Sequence, residues 1–226
     1  MKSAEIDVII AVYNGEKFIE EAIVSVQNQT WKDLNIIVAD DGSTDKTLNI
    51  ITDLSKSDDR ISVLVRSHQG VSATLNAAIA YSSAKYIAFL DADDLWDPTK
   101  LAVQMEALSN SESEVCFCMT QEFETLPEKS IQSYRARKEP LKGVSKTAFL
   151  GPRSIFKRFG LFDETIAIGD FVDWFSRVVR ADVPVIMLDQ VLTFRRIHES
   201  NTTRNVSKNE FLKVLKSHLD AKRKDA

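Results

Sequence analysis

An α/β domain with a mostly parallel central sheet and helices on both faces is the fold class that this 226-residue sequence predicts. Apolar strand-like runs alternate with helix-patterned segments through the first half with little wasted length, as in crossover units that join parallel strands. Short apolar runs such as Tyr86-Ile87-Ala88-Phe89-Leu90 bury easily as strands. These runs end in polar turns, among them Tyr13-Asn14, Asp40-Asp41-Gly42-Ser43 and Asp91-Ala92-Asp93-Asp94.

Ile6 to Val12 reads as the first strand, and Glu16 to Gln27 as a helix with Phe18, Ile19, Ala22, Ile23 and Val26 on one face. Leu34 to Ala39 is the second strand; a helix follows from near Asp45 to about Leu54. Ile61 to Val65, a helix over Val71 to Ser82, and the strand ending at Leu90 come next, and Pro98 opens a further helix because its fixed φ suits a first turn. The second half is less regular. It predicts a strand over Glu114 to Phe123, a polar connection over Leu126 to Lys142, a short helix over Pro152 to Phe159 stopped by Gly160, a helix over Phe171 to Val179, and two strands, Val183 to Leu188 and Val191 to Ile197. One domain over 1–203 and a helical tail over 204–226 follow, because Phe211, Leu212, Leu215 and Leu219 recur at helical spacing among lysines and Arg223.

Composition excludes several classes. The chain is 44% hydrophobic and 27% charged, as in a globular protein, and a net charge of -4 provides no global field for nucleic acid, so no nucleic-acid partner is expected. Cys116 and Cys118 share one face of a strand, where small buried thiols are common, and a lone Cys-x-Cys supports neither a disulfide framework nor a metal site. No signal peptide and no apolar run of about 20 residues is present, so a cytoplasmic, non-spanning protein is expected.

Asp91, Asp93 and Asp94 at the end of a buried strand are the most informative feature. Such anions repel one another unless something positive compensates, and a divalent cation carrying a phosphorylated substrate suits carboxylate oxygens. Asp91 and Asp93, two apart in an extended segment, can face one ion. Parallel strands collect their carboxyl ends on one rim, so Tyr13-Asn14, Asp40-Asp41, His68-Gln69-Gly70 and Asp91 to Asp94 are expected to meet there. Tyr13 offers an aromatic face for a base, one of Asp40 and Asp41 an acceptor for a base N–H or ribose hydroxyl, and Gly42 a sharp turn. Farther along, a carboxylate at Asp170 or Asp173 suits a general base, and Arg195-Arg196-Ile197-His198 suits a metal or diphosphate. Plainer readings are a helix cap for Asp170, surface ion pairs for the arginines and simple packing for Tyr13.

Val8 to Asn14, Val38 to Asp45, Gly70 to Ala73, Asn76 to Ala80 and Phe89 to Asp94 together resemble the family 2 glycosyltransferases of GT-A fold, over about residues 4 to 108. Gly160 to Glu164, Asp173-Trp174 and Arg195 to His198 extend the resemblance to about residue 203. It implies a nucleotide-sugar-binding half over 1–108 and an acceptor-binding half over 109–203. It also implies transfer, with inversion, of one sugar from a nucleotide-diphosphate donor to a saccharide, lipid-linked or protein hydroxyl, with Mn2+ or Mg2+. By position, Ala11, Tyr13, Asp40, Asp41, Gly70, Asn76, Asp91 and Ala92 would bind the nucleotide. Asp93 would ligate the metal, with His198 at the metal or diphosphate and Arg195 and Arg196 at the diphosphate. Asp170 would be the base, with Asp173 in reserve. The sequence departs from the family pattern at Leu75, where an arginine is common, and at Phe171, where the base often stands.

The rival from another class is a nucleotide-sugar-binding or scaffold protein that has lost the base. A nucleotidyltransferase fits less well, because Tyr13-Asn14-Gly15-Glu16 is a poor phosphate loop. The tail is expected to pack on the domain, with peripheral contact at the inner face of a membrane as the alternative.

Overall fold

Side-chain alternation in β1 (Ile6–Val12) sets the layers. Ile6, Val8, Ile10 and Val12 enter one hydrophobic cluster and Ile9 the other, because successive strand residues face opposite sides. In β2 (Leu34–Asp40), Leu34, Ile36 and Val38 face the first cluster, and Ile37 and Ala39 the second. Helices α1 (Ile19–Gln27), α2 (Thr47–Ser57) and α4 (Lys100–Ser109) cover the first face. Helices α3 (Val71–Tyr81), α5 (Ser154–Phe159) and α6 (Asp170–Arg180) cover the second. In α1, Ile19, Ala22, Ile23 and Val26 form the buried stripe; in α6 Phe171, Trp174, Phe175 and Val178 repeat that spacing.

The remaining strands are β3 (Ile61–Val65), β4 (Tyr86–Phe89), β5 (Leu95–Trp96), β6 (Val115–Glu124), β7 (Leu150–Pro152) and β8 (Val185–Ile197). This computed structural model describes residues 4–124, 136–166, 168–199 and 201, and in it the eight strands form one sheet in the order β3-β2-β1-β4-β7-β6-β8-β5. β3, β2, β1 and β4 are parallel neighbours, β6 pairs in parallel with β8, and only β7 and β5 run the other way. Buried Asp7 ties the amino-terminal ends together. It accepts hydrogen bonds from Asn35 Nδ2, Ser82 Oγ and the Ser83 and Ala84 N–H groups.

Several second-half expectations are corrected. The two strands expected over Val183 to Leu188 and Val191 to Ile197 are one, β8, whose polar Asp189-Gln190 step is a register shift against β6 between the pairs Phe117–Met187 and Met119–Val191. β7 and β5 were not expected, being too short for periodicity to show, and Pro152 belongs to β7 rather than to the helix after it. Cys116 and Cys118 are free and buried; burial pushes the Cys116 thiol up to about 12. The tail expected over 204–226 and residues 126–135 of the polar connection lie outside the described residues. Among the described residues no helix is long and apolar enough to cross a membrane.

Candidate active site

The rim at the carboxyl ends of β1, β2 and β4 opens into a cleft of about 1050 Å³. The loop after β1 is latched to the loop after β2. Asn14, at φ 53, donates its N–H to Ser43 Oγ and accepts the Thr44 N–H, while the Gly15 N–H reaches Thr47 Oγ1 at 2.8 Å. Asp41 is the hub on which the next loop folds. Its Oδ1 accepts from the Gln69 N–H and Thr74 Oγ1, and its Oδ2 from the Gly70 N–H, with His68 Nδ1 at 2.8 Å. Burial alone would raise the Asp41 pKa, but these donors and the nearby imidazole hold it below the usual carboxylate range. Gly42 at φ 77 allows the approach: a Cβ there would lie 2.9 Å from the His68 backbone nitrogen. The His68 ring stacks on exposed Tyr13, with centroids 4.0 Å apart.

Across the cleft, Asp93 Oδ2 meets His198 Nε2 at 2.9 Å and Asn201 Nδ2 at 3.2 Å. The pair is at hydrogen-bond distance, and a carboxylate beside an imidazole offers the ligand types that a divalent cation takes. Among the described residues no three His, Cys, Asp or Glu side chains converge to hold one. Asp94 sits behind, buried, accepting the Arg196 N–H at 3.0 Å; burial first, then the Asp91 and Asp93 charges, push its pKa well up.

The two arginines, adjacent on a strand, face opposite ways. Arg195 lines the cleft and lies 3.4 Å from buried Glu122. Arg196 is buried beneath the acidic loop, where its Nε donates to the Asp93 carbonyl, its Nη2 reaches Glu21, and its guanidinium packs on Phe18 and Phe123. A similar division separates Asp170 from Asp173 in the first turn of α6. Asp170 is buried against the cleft with Oδ2 3.2 Å from Ser72 Oγ, whereas Asp173 points along the helix, 3.7 Å from Arg177 Nη2, and does not line the cleft. Phe171, between them, belongs to the aromatic core.

Ala11, Tyr13, Asp41, Gly70, Asp91, Ala92, Asp93, Asp170, Arg195 and His198 thus line one cleft; Asp40, Asn76, Asp173 and Arg196 do not. Asp40 is buried, with Oδ2 accepting the Ser43 N–H and Oδ1 without a hydrogen-bond partner among the described residues. Asn76 clamps α3 to the loop before α6: its amide exchanges hydrogen bonds with the Phe162 backbone and reaches Glu164 Oε1. Sequence reasoning missed Lys146, which pairs with Asp91 Oδ1 at 2.9 Å, and Asn201. Neither stands in a segment whose pattern marks it, although a lysine just ahead of a buried apolar run was visible.

The family model for glycosyl transferase family 2 matches residues 7–171. The chain belongs to this family. An uncharacterized glycosyltransferase of Rickettsia typhi is 30% identical over 215 residues, which cover 88% of this chain and 65% of that protein. The uncharacterized glycosyltransferase EpsJ of Bacillus subtilis is 28% identical over 215 residues, 88% of this chain and 62% of that one. The chain therefore spans less than two thirds of either relative. Two solved structures share the fold: Staphylococcus aureus TarS 1-349 in complex with UDP-GlcNAc (TM-score 0.77, 18% identity, 95% of this chain and 65% of that one) and the Pyrobaculum calidifontis mannosyltransferase PcManGT with GDP-Man and Mn2+ (0.76, 15%, 100% and 66%). The sheet of this family 2 member has the GT-A fold.

Proposed function

We propose that the protein is a metal-dependent, inverting glycosyltransferase that moves one sugar from a nucleotide-diphosphate donor to a hydroxyl acceptor in glycan or lipid-linked saccharide assembly. The observation that carries this reading is that Asp41, Asp93, His198 and Asp170, from four separate segments, line a single cleft. Tyr13 and Asp41, with the loop through Gly70, hold the nucleoside in the 1–108 half, and the 109–203 half receives the acceptor. Asp93 and His198 would hold Mn2+ or Mg2+, which would supply positive charge to neutralise the diphosphate leaving group, while Arg195 lies within the same cleft for the phosphates. Asp170 accepts the proton of the acceptor hydroxyl as its oxygen bonds to the anomeric carbon. The carbon–oxygen bond to the diphosphate breaks, and its electron pair leaves with the phosphate. Attack opposite the leaving group inverts the centre. PcManGT with GDP-Man and Mn2+ and TarS with UDP-GlcNAc are related precedents for donor and metal.

The test is release of nucleoside diphosphate from a panel of UDP-, GDP- and dTDP-sugars with Mn2+. Release by the wild type that is abolished in Asp93→Ala and in Asp170→Asn supports the reading. Full release by Asp170→Asn overturns the base assignment, and tight nucleotide binding without turnover of any donor favours a binding protein.

A further inference from the structure

We infer that Lys146 holds the transferred sugar of the donor, as a positioning residue set between the acidic metal loop and the base. The inference rests on the transferase reading above and deepens it. Carboxylates outnumber cations along the cleft, and of its cations Lys17 is exposed on the rim while Arg195 lies beside Glu122. Lys146 is different: its side chain is only 15% exposed, it lines the cleft wall, and its ammonium binds Asp91 Oδ1 at 2.9 Å. Paired with the Asp91 carboxylate, it is a cation at neutral pH, as lysine side chains ordinarily are.

An ammonium has three N–H donors, and Asp91 is the one hydrogen-bond partner that Lys146 finds among the described residues. Two donors are left for a ligand. In the proposed reaction the anomeric carbon must lie between the diphosphate, gripped near Asp93 and His198, and the base Asp170. A cation flanked by Asp91 and Asp170 faces that interval, where the donor presents sugar hydroxyls. Hydrogen bonds from a fixed ammonium to those hydroxyls would hold the ring for in-line attack.

The experiment compares wild type with Lys146→Met and Lys146→Gln. For each, the affinity for a donor nucleotide sugar from the panel above is measured with Mn2+ by calorimetry, beside that for the matching free diphosphate, UDP, GDP or dTDP. Melting curves with the free diphosphate verify folding and an intact nucleotide site. The inference predicts that Lys146→Met lowers the ratio of nucleotide-sugar to free-diphosphate affinity about tenfold, as expected for a lost hydrogen bond to a charged donor. It also predicts that kcat/KM falls at least as far and that Lys146→Gln recovers part of both. Removing a cation by long-range electrostatics alone would weaken the more highly charged free diphosphate at least as much, so an equal loss of both ligands overturns the sugar assignment. An unchanged ratio overturns it too. If the wild type binds and turns over donor in that case, the transferase reading stands and only the role of Lys146 falls; a wild type that binds none of the nucleotides refutes both.

Discussion

Lys100 is a buried cation with no part in the cleft, and its titration should be readable in the stability of the whole domain. Its side chain is fully buried, with Nζ 2.8 Å from Gln104 Oε1 and 3.9 Å from the Trp96 ring centroid. Burial lowers its pKa from 10.5 to about 8, against a smaller upward influence from Cys118 and Cys116. Because the folded pKa is the lower one, the unfolded chain binds the proton more tightly, and this group's contribution to stability rises as pH climbs from about 8 to 10.5. The gap corresponds to about 3 kcal/mol at about 1.4 kcal/mol per pH unit. At pH 7 the folded state carries the whole penalty; by pH 9.5 about 2 kcal/mol of it is relieved. Lys100→Met removes the titration and leaves Gln104 Oε1 without its donor, an offset of about 1 kcal/mol that does not vary with pH. The buried thiols oppose the lysine's trend and are held down by its charge, so in Lys100→Met they are pushed further up and add to the difference in the same direction. Urea unfolding followed by tryptophan fluorescence at pH 7 and 9.5 should therefore show the stability of Lys100→Met, relative to wild type, falling by about 2 kcal/mol over that interval. A difference that stays constant to within about 0.5 kcal/mol would refute the reasoning.

The other expectations concern the rim. Asp41→Asn replaces an acceptor oxygen by a donor facing backbone N–H groups, so stability should fall by about 2 kcal/mol, with nucleotide affinity, measured by calorimetry, falling alongside as the 68–70 loop loosens. Gly42→Ala places a Cβ 2.9 Å from the His68 nitrogen and 3.1 Å from the Arg66 oxygen at φ 77; a loss of about 2 kcal/mol or more in denaturant unfolding is expected. Arg196→Met removes the donor to the Asp93 carbonyl and the partner of Glu21. The Mn2+ concentration for half-maximal activity should rise severalfold, and an unchanged metal titration would show that the acidic loop does not depend on this strut.

By itself the sequence determined the parallel half of the sheet, its helices, and the gathering of acidic loops on one rim. Those features are local or nearly so: apolar runs, helical spacing in α1, and turns at strand ends each announce themselves within a few residues. The tertiary structure alone decided which member of each candidate pair serves the cleft. Arg195 faces it while Arg196 is buried under it, and Asp170 lines it while Asp173 does not. Asp41 reaches it as Asp40 stays in the core. Alternation and helical phase say that such neighbours differ, but the side that is cleft is set by what packs opposite. Lys146 and Asn201, which meet Asp91 and Asp93 from 55 and 108 residues away in the chain, have no local pattern to mark them. The joining of β7 and β5 to the sheet is of the same kind, since strands of three and two residues exist only through their partners.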